Sequence, residues 1–281
     1  MFAQFKIKSY ICTIKQTLLT IKKKQVTMEK KYKLSEETIN IYGVTLYRIE
    51  ALKDFGDVKV GDKGGYIESE ENLSHEDNAW VYGNAKVFGN ANVYDNAKVY
   101  GYAEVYGNAK VYNDAWVYGN SEVFDNAEVY GISKVYDDAW VYDNAKVFCY
   151  AEVYGNSKVY NDAWVYDNAE VYGNSKVYDD AWVYDNAKVC DNAEVCENAR
   201  VYGKSKVCGN AKVSDKSKVY GNSKVYDNAE VYGNAKVYDN ANVYGNSKVF
   251  GYVEVYDDAL VYGFAQLFNN AKVCGNTKIF E

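Results

Sequence analysis

Proline is absent from all 281 residues, and histidine occurs once, at His75. A chain without proline can commit nearly every backbone N–H to a hydrogen-bonded ladder, because proline is the one residue that cannot donate. A single histidine leaves little material for the general-base chemistry that usually draws on that side chain. No Ser-His-Asp set, phosphate-binding glycine loop or Cys-x-x-Cys spacing occurs, so the common sequence marks of hydrolases, nucleotide-binding enzymes and zinc sites are missing. No apolar run is long enough to span a bilayer, which leads us to expect a soluble, cytoplasmic protein.

What the chain has in excess is tyrosine, 31 of them, and a period. From Val81 to Ile279 a branched aliphatic residue stands at every sixth position, 34 times without a miss. Two residues before each stands Ala or Ser, with Val253 and Thr277 the only substitutes. Immediately after it comes Tyr in 23 of the repeats. Six is neither a helical nor a plain strand period, so the unit has to be a short strand plus a corner. In Ala85-Lys86-Val87-Phe88, alternation sends Ala85 and Val87 to one face and Lys86 and Phe88 to the other. Gly89-Asn90 then makes the corner, Gly for its freedom at positive φ and Asn for its tolerance of the left-handed region. Three strands and three corners close an 18-residue coil too small to bury its own apolar face, so coils must stack. The expected fold is all-β, about 11 coils rising roughly 53 Å at the spacing of paired strands.

The pattern aliphatic-x-x-x-small-x, as in Val-Tyr-Gly-Asn-Ala-Lys, resembles the hexapeptide repeat of the left-handed parallel β-helix superfamily, first associated with bacterial acyltransferases. The resemblance covers residues 79–281 and implies a three-sided left-handed parallel β-helix. Tyr after the aliphatic residue departs from the residues usual in that family. Its acyltransferases use a His base on or beside a loop that breaks the helix. Here the 34 repeats carry no insertion and His75 lies ahead of them, so His75 is a weak catalytic candidate and an enzyme is not the leading reading.

Residues 28–78 read as an N-terminal β cap. Thr38–Ile49 alternates around Gly43 as a hairpin, and the Gly61-Asp62-Lys63-Gly64-Gly65 run makes a tight turn before Tyr66-Ile67. This block resembles the leader that precedes hexapeptide arrays encoded by bacterial prophages, which would make a virion-associated location an alternative to the cytoplasm. A cap also covers the open β-edge of the first coil. Residues 1–27 hold six Lys and no acid, and are expected to be a disordered basic leader, or untranslated if synthesis starts at Met28. Formal net charge is −7, leaving −13 on the remainder, a balance that repels nucleic acid and anionic membrane.

Function must then reside on the outer surface. Trp80, Trp116, Trp140, Trp164 and Trp182 each displace the Lys or Glu of their repeat. Trp164, Trp182, Tyr166 and Tyr184 form the best candidate patch for a glycan or protein ligand, with Trp116 and Trp140 as further candidates. Ile132 and Tyr150, 18 residues apart, replace the corner Asn and suggest side-by-side association, including trimers. Ile279 and Phe280, in the last strand, suggest end-to-end association. Four of the six Cys, Cys190, Cys196, Cys208 and Cys274, replace the outward Tyr, which suggests neutral change at a surface position and reduced thiols. No metal or cofactor is expected. The leading function is a non-enzymatic structural or interaction rod. The alternatives are an acyltransferase-like enzyme and a carbohydrate-binding module.

Overall fold

The computed structural model describes residues 29–281, so the reading of residues 1–27 lies outside it. The first element described is a hairpin, β1 (Tyr32–Ile41) pairing antiparallel with β2 (Val44–Ala51) around Tyr42-Gly43. The third strand, β3 (Lys63–Ile67), pairs antiparallel with β2 through Tyr47↔Ile67. On its other edge β3 pairs parallel with the strand Lys86–Val87, so it joins cap to solenoid. Neither Gly64 nor Gly65 has room for a side chain: a Cβ at Gly64 would overlap Ile49, and one at Gly65 the carbonyl of Ala85.

After a 3-10 turn at Glu70–Asn72, 34 short strands stack in three parallel sheets, and the described residues contain no α-helix. The first face runs from Trp80–Val81 to Lys278–Phe280 in a sheet of 12 strands. The second runs from Lys86–Val87 to Gln266–Leu267 and extends through β3, β2 and β1 to 14 strands. The third runs from Asn92–Val93 to Lys272–Val273 with 11. Register never drifts: Val99 meets Val117, Val117 meets Val135, and so onward 18 residues at a time. The small and aliphatic residues face inward and almost all are completely buried. Where Ser replaces Ala, its hydroxyl donates to main-chain carbonyls, as Ser121 Oγ does to Tyr118 O at 2.9 Å and Val135 O at 3.3 Å, so the substitution leaves no orphaned polar group.

Three findings depart from the sequence reading. Parallel stacking begins inside the 28–78 segment, because Ile67 pairs with Val87 and Leu73 with Val93, each 20 residues apart. The added coil brings the solenoid to about 12 turns; two extra residues between Leu73 and Val81 hid it from an 18-residue count. Second, the left-handed conformation belongs to the first corner residue. Gly89, Asp95 and Asn113 have φ of +67°, +57° and +58°, and the second-position Asn is absent from the positive-φ set. Third, Cys190, Cys196 and Cys208 are buried, and Cys190 is disulfide-bonded to Cys208. Equivalent positions on adjacent coils bring these two Cα atoms to 4.7 Å, within bonding range for any stacked pair. A side chain two atoms long also lies below the neighbouring rings rather than out at the surface.

Candidate interaction surface

The outside of the solenoid is a set of ladders. On the third face the ring column runs without a break from Tyr94 to Tyr256, for example Tyr202–Tyr220 and Tyr220–Tyr238, each 4.9 Å apart and 2° from parallel. Half-burial in these stacks resists ionisation: the phenols of Tyr184 and Tyr220 are pushed up to about 12, chiefly by burial and then by neighbouring phenols. Beside the rings, Lys and Glu pair along the stacking axis, as in Lys86–Glu104 at 2.7 Å and Lys134–Glu152 at 2.8 Å.

The second corner position carries a further ladder that sequence reasoning missed. Asn90 Nδ2 donates to Asn108 Oδ1 at 3.0 Å, Asn108 to Asn126 at 3.0 Å, and Asn126 to Asn144 at 3.2 Å. Another run links Asn174, Asn192, Asn210, Asn228 and Asn246. An amide has both a donor and an acceptor, so identical residues in register can chain indefinitely. The 18-residue recurrence of Asn was the available signal. Asp at the first corner also ties one coil to the next, since Asp227 Oδ2 accepts from Gly245 N at 3.1 Å.

The candidate residues separate across this surface. Trp164 and Trp182 stack at 5.3 Å on the third face beside Tyr166 and Tyr184, themselves 4.9 Å apart. Their outer ring faces carry cations, Lys146 Nζ lying 5.6 Å from Trp164 and the Arg200 guanidinium 4.5 Å from Trp182. A sugar would therefore meet ring edges rather than open platforms. Trp140, on the second face, is covered by Lys158 at 4.1 Å. Trp116, on the first, is 40% exposed and lines a cavity of about 560 Å³ with Ile132, Lys98, Lys134 and Asp57. Trp80 is only 1% exposed, packed edge-on against Phe55 under the cap.

Ile132 and Tyr150 both stand out from one solenoid edge, 47% and 58% exposed. They follow Asn78, Asn96 and Asp114, whose amide ladder stops at Asp114. Phe280 is 65% exposed and stacks on Tyr262, while Ile279 is part-buried against the core.

His75 belongs to the cap. Its ring stacks on Tyr32 at 4.2 Å, its Nδ1 accepts from Lys31 N at 3.3 Å, and its Nε2 lies 3.4 Å from Glu70 Oε2. Beside it, the buried Lys31 ammonium donates to the carbonyls of Glu76, Asp77 and Ala79, closing the start of the first coils.

No protein-family model matches this chain, and no curated protein sequence does. No helix among the described residues is long and apolar enough to cross a membrane.

Proposed function

We propose that this chain is a rigid structural rod that associates side by side with copies of itself. Ladder continuity carries the reading: core Val, ring stacks, ion pairs and corner amides all repeat along one axis, so stiffness is built in at every coil. The Ile132 and Tyr150 edge supports the association, since two large apolar side chains there replace a polar ladder beside the Trp116 cavity and would be covered by a neighbouring rod. The likeness of its repeat to the hexapeptide superfamily, and of its leader to prophage-encoded arrays, supports a structural part in a mobile-element or phage context.

Light scattering during size exclusion, with negative-stain microscopy of the same fractions, tests this. We expect elongated particles with a fixed mass above the 31.8 kDa monomer, returning to monomer in the Ile132→Asn/Tyr150→Asn variant. A wild-type monomer would remove the association. Rods that lengthen with concentration would move the contact to the ends.

A further inference from the structure

We propose that the first face carries a binding slot for a planar aromatic anion between Cys190 and Tyr226. The first-face ring column runs through Tyr154 and Tyr172 at 5.0 Å, and resumes with Tyr226 and Tyr244 at 4.8 Å. Between them, the two positions that would continue it hold Cys190 and Cys208, bonded to each other and buried. Neither reaches up to where the rings stand. The face of Tyr226 that looks back along the column therefore has no aromatic partner, in a stack where the inner rings have one on each side. The space above Cys208 is a cavity of about 390 Å³, lined by Tyr226, Lys206, Lys224, Asp191 and Asp227, within the range of small-molecule sites.

Charge indicates what would fill it. Residues 198–226 hold seven Lys or Arg and one acid, within a body whose balance is otherwise strongly acidic. On the first face Lys188, Lys206 and Lys224 stack directly on one another. Lys188 has its carboxylate, Glu170 at 2.8 Å. No ion pair is made by Lys206 or Lys224 among the described residues, although most face lysines elsewhere have one. Adjacent like charges are unfavourable, and an anion lying between them would relieve that. The cavity's own carboxylates are turned to the corners, Asp191 accepting from Gly209 N and Asp227 from Gly245 N, each at 3.1 Å. An aromatic ring entering the slot would stack on Tyr226 at the spacing of its missing neighbours, with its carboxylate between the two ammonium groups.

Calorimetric titration of the full chain with 4-hydroxybenzoate tests the proposal. We expect saturable binding, weaker by about tenfold or more, roughly 1.4 kcal/mol, for 4-hydroxybenzamide, which lacks the charge, and for cyclohexanecarboxylate, which lacks the ring. Lys206→Gln/Lys224→Gln should show a similar loss. Cys190→Tyr/Cys208→Tyr, which refills the column with the repeat's own residue, should abolish binding with the circular dichroism spectrum unchanged. No heat at millimolar 4-hydroxybenzoate, equal binding of the saturated acid, or full binding by either double variant would overturn the slot.

Discussion

At the scale of the residue, each position in the hexad meets a separate demand, and the two corner residues show this best. The first corner must turn left-handed while the next coil's backbone presses on it. Gly accepts the conformation freely, and Asp accepts it while capping an amide of the following coil, as Asp227 does for Gly245. The second corner places its side chain within reach of its equivalent one coil on, which suits Asn. Asn108 gives its amide to Asn126 and takes one from Asn90. Asn108→Ala should break both links and cost about 1 kcal/mol or somewhat more in a urea titration, whereas Asn108→Asp, which keeps only the accepting half, should fall between. An unchanged midpoint for Asn108→Ala would mean that water replaces the amide ladder at no cost.

At the scale of the element, a strand of two residues has almost no stability of its own, and what holds it is the column it joins. Tyr220 stacks on Tyr202 below and Tyr238 above. Tyr220→Ala removes two ring contacts, each worth about 0.5–1.5 kcal/mol, so a loss of roughly 1–3 kcal/mol is expected, with Tyr220→Phe close to wild type. The same columns set an alkaline limit. The phenols of Tyr154, Tyr160, Tyr184 and Tyr220 are pushed up to about 12, above the ordinary value near 10. A raised value in the fold means the contribution is complete below pH 10 and is lost as pH rises from there toward 12. Tyrosinate absorbance and circular dichroism followed together should therefore change in one cooperative step in that window. Ionisation that runs to completion with the spectrum unmoved would show that the rings do not hold the coils.

At the scale of the whole molecule, the architecture was legible in the sequence because one rule, the six-residue return of Val, is imposed by the core and repeated until chance is excluded. The leader was legible as a hairpin, but Lys63-Gly64-Gly65 extends as part of β3 where a turn was expected, and the coil hidden in the leader was not legible, since Ile67 and Leu73 are out of phase with Val81 by two residues. The surface was harder to read. A column of Tyr in sequence cannot reveal that Trp164 and Trp182 have cations over their outer faces, or that Cys190 and Cys208 become a floor. Those properties depend on the height of each side chain above the sheet, which no periodicity encodes. The periodicity does make a strong claim about what the rod can lose. Deleting one full coil, residues 217–234, joins Lys216 to Ala235 and leaves every face in phase, so stability should change little and the particle should shorten by about 4.8 Å. Deleting six, residues 217–222, advances the later faces by one but still sets Val on Val, disturbing only the pairs that cross the junction. Deleting three, residues 217–219, leaves half a hexad, so a corner on one side of the junction meets a strand on the other. That variant should melt in two steps, one for each half of the solenoid, where the 18-residue and 6-residue deletions melt in one. If all three melt alike, the coils are held by something other than their register.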